Sequence, residues 1–167
     1  EGVDLRRFWR RRFRRLLPAS WTTLGAVLLM ALVGIWNTDQ LRSLRGDVPF
    51  ALAEIINWHF IAQDRSYGAS FLAPSPLEHF WSLAVEQQFY VILPLLVVGV
   101  LALGRRRPAR QRIGALAAVF VALAAFSAIS NGWYARTSID RAYFGTDTRM
   151  AEMLVGSLLA IATLRRL

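Results

Sequence analysis

Apolar residues in this chain come in long runs, without the three- to four-residue spacing of a soluble amphipathic helix. Four runs approach the length that crosses the roughly 30 Å hydrocarbon core of a bilayer at about 1.5 Å per residue. They cover residues 17–36, 83–103, 113–130 and 150–164, and a shorter polar-interrupted run covers 48–61. The pattern predicts an all-α, polytopic membrane protein with about four spanning helices plus one short re-entrant or interfacial helix.

The run 83–103 carries a single acid, Glu86. On a helix, His79, Ser82, Glu86 and Tyr90 share one face, so we expect a polar stripe that faces protein or water. An acid inside a span is costly unless it is paired or hydrated, which makes it a functional candidate. The stripe is also compatible with a helix end in the headgroup region.

Pro94 lies four residues after Tyr90 in the same run. Because proline has no backbone N–H, it cannot bond the Tyr90 carbonyl, and it favours a kink below the stripe. The sequence therefore predicts a distorted helix whose polar face lies above the proline.

The chain of 167 residues has a formal net charge of +9, all of its basic residues are arginine, and it has no cysteine. The missing cysteine excludes disulfides and thiol catalysis within the chain. With only two histidines, His59 and His79, and no carboxylate at ligand spacing, we predict no metal site. No permanently bound cofactor and no nucleic-acid partner is expected, since arginines in a membrane protein first report topology.

The arginines concentrate in residues 1–16, in 105–112 and at 165–166. The positive-inside rule places these segments on the cytoplasmic side, with 1–16 as an amphipathic helix at the headgroups before the first span. An even number of crossings must then separate 1–16 from 105–112. We therefore expect residues 48–61 to stay on the outer side, with His59 as a hydrogen-bonded structural residue.

Small residues recur at four-residue spacing in the last two spans and predict close helix packing. They are Gly114, Ala118 and Ala122 in one span and Gly156 and Ala160 in the next. Before the last span, Thr146, Asp147 and Thr148 are expected to cap its helix.

Three sequence blocks give the chain a recognisable character. They read FWRRRFRRLLPA at 8–19, SPLEHFWSLAVEQQFYVILPLL at 75–96 and RAYFGTDTRMAEMLVGSLLA at 141–160. In order and spacing they resemble the acyltransferase-3 type of integral membrane O-acyltransferases. The family usually has a second acid where this chain has Gln87, which leaves Glu86 as the only carboxylate at that point.

The resemblance implies transfer of an acyl group, expected to be acetyl, from cytoplasmic acyl-CoA to a hydroxyl of a cell-envelope sugar, glycolipid or polysaccharide. The family's RxxR motif falls on Arg12 and Arg15, and paired guanidinium groups suit the phosphates of coenzyme A as they suit anionic lipid headgroups. Catalytic roles fall on Glu86 and His79. Expected acceptor-binding residues are Ser82, Tyr90, Asp147 and Arg149, although Asp147 and Arg149 also suit a capping and salt-bridging role.

Family members have more membrane helices than this chain, so residues 1–167 are expected to form a partial membrane acyltransferase domain that is inactive alone. The helix that bears the family's proposed catalytic histidine would lie upstream. Expected partners are the lipid bilayer, acyl-CoA, the envelope acceptor and the remaining helices, in a multi-pass protein of the cell membrane. Two other classes stay open: a transporter or flippase with Glu86 in its pathway, and a helical assembly module.

Overall fold

The structure, a computed structural model, describes residues 4–65 and 75–164. Within these ranges the chain forms seven helices and no strand. The helices are α1 Leu5–Leu32, α2 Thr38–Leu52, α3 Ile56–Ala62, α4 Phe80–Leu103, α5 Ala109–Thr137, α6 Ile139–Phe144 and α7 Thr146–Leu164. The predicted all-α class is confirmed. Residues 165–166, which the positive-inside rule places on the cytoplasmic side, lie outside the described residues.

Helix α1 differs from its prediction because the arginine-rich segment and the first apolar run form one continuous helix. Asp4 caps it by accepting a hydrogen bond from the backbone N–H of Arg7 at 3.0 Å. Pro18 lies inside the helix without ending it. The expected separate headgroup helix is therefore wrong, since the arginine-rich segment and the span belong to one helix.

Residues 48–61 belong to two helices that meet at a sharp turn. Asn37 and Gln40 form a capping box that starts α2, and α3 begins at Ile56 after a turn in which Glu54 has a φ of 55°. With seven residues, α3 is only about 10 Å long. The expectation that this segment does not cross the membrane as one helix agrees with this geometry.

Three described helices are long and apolar enough to span a membrane: α1, α4 and α5. The predicted fourth span, residues 150–164, lies in α7, whose 19 residues do not meet the same criterion. The reason is local, because the first two turns of α7 hold Asp147, Arg149 and Glu152. The protein is multi-pass with at least three helices of spanning character.

Two apolar clusters hold the helices together, and α4 runs through both. Its first turn joins the cluster of α1, α2, α3 and α6, and its middle joins the cluster of α5 and α7. The buried members of the first are Leu24, Leu44, Ala51, Ile56, Phe60, Leu77, Phe80, Ala84 and Phe144, and those of the second are Phe89, Leu116, Phe120 and Leu154. Helix α4 is therefore central to the described structure, because burial of its side chains stabilises both clusters.

Helices α5 and α7 pack through larger side chains, not through the predicted small-residue faces. Leu116 and Phe120 are buried, and the Ser127 hydroxyl accepts a hydrogen bond from the backbone N–H of Ala151 at 3.0 Å. Ala118 and Ala122 are exposed. At Gly156, an added Cβ would meet no atom within 4 Å. The small-residue packing prediction is therefore wrong for the described helices.

Candidate functional site

Glu86 lies at the centre of a three-residue contact between α1 and α4. The hydroxyl of Tyr90, one turn further along α4, donates to Glu86 Oε1 at 2.5 Å. Arg12 of α1 places its Nη2 3.9 Å from the same oxygen, and its guanidinium lies 3.6 Å from the centroid of the Tyr90 ring. The carboxylate thus has a donor on its own helix and a cation from the neighbouring helix, which compensates its charge.

This contact changes the predicted arrangement of the site. The sequence placed Arg12 at the cytoplasmic surface together with residues 105–112. The structure puts Arg12 beside Glu86, which is 17 residues before Leu103 and so about 25 Å from that end of α4. The candidate donor and catalytic residues therefore belong to one site.

A groove of about 560 Å³ between α4 and α7 contains most of the predicted acceptor residues. Ser82, Glu86, Tyr90 and Arg149 line it, together with Trp81 and Glu152. Its other end is apolar and is lined by Phe89, Leu93, Met153, Gly156 and Ala160. The groove thus combines a polar end next to Glu86 with a hydrocarbon-like end along the helices.

Arg149 is held at the groove wall by three kinds of contact. Its Nε donates to the Tyr143 carbonyl at 3.0 Å, its Nη1 pairs with Glu152 at 2.9 Å, and its guanidinium lies 4.9 Å from the Tyr143 ring centroid. Such fixing pre-orients a cation beside the groove at little further entropic cost.

Two predicted residues lie outside this groove. His79 immediately precedes α4, is exposed, and its carbonyl accepts from the Ser82 hydroxyl at 3.1 Å. Asp147 pairs with Arg141 at 3.0 Å. Neither residue lines the groove. The structure therefore gives Asp147 the salt-bridging role that the sequence left open, and it places His79 about two helical turns from Glu86.

Two of the residues predicted to cap α7 donate hydrogen bonds to other groups. The Thr146 hydroxyl donates to Gln88 Oε1 at 2.6 Å, and the Thr148 hydroxyl is 3.1 Å from the Ala142 carbonyl. Gly145 stands at the junction, where an added Cβ would lie 2.6 Å from the Arg141 carbonyl. A side chain at this position would force the α6–α7 corner apart.

Gln88 organises a partly buried polar network that sequence inspection did not single out. Its amide donates to the Glu54 carbonyl and to Asn57 Oδ1, each at 2.9 Å, and its Oε1 accepts from Trp58 Nε1 at 3.0 Å. Asn57 in turn donates to the Phe144 carbonyl at 3.0 Å. These bonds join α3, α4 and the α6–α7 corner behind the groove, and only the long-range partners reveal them.

A second face of α1 is strongly cationic. A surface depression of about 600 Å³ is lined by Asp4, Phe8 and four arginines, Arg7, Arg11, Arg12 and Arg15. Arg12 has the Glu86 contact, whereas Arg7, Arg11 and Arg15 have no acidic partner within the described residues. Unmatched guanidinium groups in a cluster favour an anion with several oxygens.

Asp47 anchors a separate polar cluster on α2. Its side chain is fully buried, and its Oδ2 accepts from Arg65 at 2.8 Å and from the Ser75 hydroxyl at 2.5 Å. His59 Nε2 lies 3.3 Å from Oδ1, and its ring stacks on Phe50. Burial lowers the pKa of His59. The predicted hydrogen bonding of His59 is confirmed, because the same Nε2 lies 2.9 Å from Gln63 Nε2.

Comparison with known proteins gives these contacts a family context. The family profile described as an acyltransferase domain matches residues 1–167. The chain is 35% identical to the peptidoglycan O-acetyltransferase OatA of Listeria monocytogenes and 34% identical to the O-acetyltransferase OatA of Staphylococcus aureus, over 96% of this chain and 25% of each relative. It is 40% identical to YrhL of Bacillus subtilis, provisionally named a peptidoglycan O-acetyltransferase, over 24% of that relative.

The chain thus spans about a quarter of the length of these curated relatives. No solved structure gives a significant match. The family match covers all three sequence blocks and every helix described above. This chain belongs to the acyltransferase-3 family of acyltransferase domains.

Proposed function

We propose that this chain is part of a membrane O-acyltransferase that transfers an acetyl group from acetyl-CoA to a hydroxyl of a cell-envelope glycan such as peptidoglycan. The family match and the names of the relatives support the reaction class and the acceptor class. The observation that carries the proposal is the contact of Arg12 with Glu86 and Tyr90. It joins a cationic depression to a carboxylate–phenol pair in a groove.

The donor would bind at the cationic depression of α1. Coenzyme A carries several phosphate oxygens, and guanidinium groups bind them through paired, charge-assisted hydrogen bonds. Arg12 and Arg15 are three residues apart and therefore neighbours on the helix surface. The pantetheine arm would extend from the depression into the groove beside Glu86, where the thioester would bind.

The acceptor would enter the polar end of the α4–α7 groove. The indole of Trp81, the Ser82 hydroxyl and the fixed guanidinium of Arg149 line this end beside Glu86. Ligand sites of this kind combine apolar walls with a few placed polar groups that set orientation. A sugar hydroxyl in this groove would be within the reach of Glu86 and Tyr90.

Transfer requires that the acceptor hydroxyl loses its proton while its oxygen attacks the thioester carbonyl. The carbon–sulfur bond then breaks, and the coenzyme A sulfur leaves as thiolate and takes up a proton. Glu86 would take the acceptor proton, directly or through a histidine that it orients, as the family resemblance implies. Arg149 would stabilise negative charge on the carbonyl oxygen.

The test is binding and transfer by the complete protein in membranes and in detergent. Arg12→Ala with Arg15→Ala should weaken coenzyme A binding at least tenfold and reduce transfer of labelled acetyl to an envelope extract, because the phosphates lose two guanidinium partners. The matched control is Arg106→Ala with Arg107→Ala, two exposed residues of the α4–α5 loop, which removes the same charge about 25 Å along α4. Equal losses in both pairs, or none in either, would reject the donor site.

A further inference from the structure

Arg12 has a position that no other described arginine shares. It lines the cationic depression with Arg7, Arg11 and Arg15, and its guanidinium also contacts the Glu86 carboxylate and the Tyr90 ring. Arg12 Nε is buried and has no hydrogen-bond partner within the described residues. The Arg12 guanidinium therefore contacts both the depression and Glu86, and its Nε–H is available for a further hydrogen bond.

The contact between Arg12 and Glu86 is long and partly open to solvent. The distance is 3.9 Å, and the side chains are 28% and 42% exposed. By contrast, Arg149 and Arg141 approach their acids to 2.9 and 3.0 Å. A weak pair of this kind is easily exchanged when a better anion comes within reach of the same guanidinium.

An anion in the depression would compete with Glu86 for Arg12. Phosphate oxygens accept paired hydrogen bonds from a guanidinium, whereas the present geometry gives Glu86 one long contact. Drawing Arg12 towards the depression would leave Glu86 with Tyr90 as its remaining described partner, through the 2.5 Å hydrogen bond. A carboxylate that no longer contacts Arg12 is open to the acceptor hydroxyl and can take up its proton.

We propose that Arg12 couples donor occupancy to the reactivity of Glu86: anion binding at the α1 depression draws Arg12 from Glu86 and makes this carboxylate a competent proton acceptor. The inference rests on the proposed function and adds a mode of regulation to that site. An empty donor site leaves Glu86 paired and inactive, and a filled donor site activates it. By linkage, the factor by which the bound donor weakens the Arg12–Glu86 contact equals the factor by which Glu86 weakens donor binding.

The experiment measures coenzyme A affinity of the complete protein by calorimetry, in the native form and in Glu86→Gln, Arg12→Gln and the double variant. Removing the competing carboxylate should tighten coenzyme A binding about fivefold or more when Arg12 is present. In the Arg12→Gln background, Glu86→Gln should leave the affinity nearly unchanged. This cycle separates the Arg12 contact from the general effect of one negative charge fewer.

Two controls make the outcome decisive. Asp39→Asn removes an exposed acid on α2, away from the groove and from Arg12, and should not alter coenzyme A affinity. Thermal unfolding shows that each variant is folded, and Arg12→Met, which also removes the charge, replaces Arg12→Gln if that variant is not. Equal tightening by Glu86→Gln in both backgrounds, or no tightening in either, would overturn the coupling.

The same data distinguish this failure from failure of the proposed function. Arg15→Ala weakens coenzyme A binding if the depression is the donor site, whatever the behaviour of Glu86. Loss of coupling with a retained Arg15 effect would reject only the inference. Absence of coenzyme A binding in the folded native protein would reject the donor site and the inference together.

Discussion

The indole N–H of Trp9 donates a hydrogen bond to the backbone carbonyl of Tyr90 at 3.0 Å. This is the carbonyl that Pro94 leaves without a helical donor, because proline at the fourth position after it has no N–H. The Tyr90 carbonyl, which has no donor within α4, is thus bound by Trp9 of α1. The bond sets the register in which Arg12, three residues after Trp9, meets Glu86.

Replacing Trp9 with phenylalanine tests this docking. Trp9→Phe keeps an aromatic ring but leaves the Tyr90 carbonyl unpaired, so we expect a loss of about 1–2 kcal/mol in stability. Thermal unfolding of the complete protein in detergent measures it. Trp21→Phe is the matched control because Trp21 is 55% exposed on the same helix.

Pro94→Ala supplies the missing helical N–H and should make the Tyr90 carbonyl less dependent on Trp9. In that background, Trp9→Phe should cost less than it does in the native protein, by a coupling of several tenths of a kcal/mol or more. Equal costs in both backgrounds would show that Trp9 stabilises the α1–α4 contact by packing alone.

Glu86→Gln should reduce acetyl transfer about 10²- to 10⁴-fold with little change in stability, because Gln is nearly isosteric but has no basic carboxylate. Glu86→Asp should retain part of the activity, since the charge remains on a shorter side chain. Labelled acetyl transfer and thermal unfolding are measured on the same samples. Asp39→Asn, an exposed acid on α2, is the control for loss of one charge.

Activity of Glu86→Gln near the native level would show that Glu86 has only a packing role. So would an activity loss that follows only the loss of folded protein. Either result would leave the family assignment intact and would move the search for the proton acceptor to residues outside the α1–α4 contact.

Asp47→Asn should destabilise the protein by about 2 kcal/mol or more. The side chain is fully buried, and neutralising it leaves Arg65 beside a group that no longer balances its charge. Asp64→Asn is the control, because Asp64 is exposed and nearby in sequence. Asparagine also tolerates the positive φ of 48° found there. Unchanged unfolding of Asp47→Asn would show that the cluster contributes no net stability.

The two ends of α5 should lie on opposite sides of the membrane, with position 107 inside and position 133 outside. Between Ala109 and Trp133, α5 rises about 36 Å, which exceeds the hydrocarbon thickness. Single cysteines at the two positions, in a protein with no other accessible cysteine, report their sides to an impermeant thiol reagent. Labelling of position 107 from outside would show that the orientation of α5 is the opposite of the one predicted.

The sequence alone determined the class of this protein and the outline of its site. Long apolar runs require helices in a membrane, because backbone groups in hydrocarbon must be satisfied within the segment. The spacing of Ser82, Glu86 and Tyr90 follows from helical periodicity, and all three line the same groove. The local sequence also identifies two groups that require a partner from elsewhere: the Glu86 carboxylate within the apolar run, and the Tyr90 carbonyl that has no helical donor.

Only the tertiary structure decided which partners these groups have. Trp9 and Arg12 come from a helix about 80 residues earlier, and no local pattern encodes how two helices align along their length. The charge rule predicted a surface position for Arg12 because it counts arginines without their contacts. In the structure, Arg12 contacts Glu86 because Trp9 docks at the carbonyl freed by Pro94, and this packing joins the candidate donor and catalytic residues in one site.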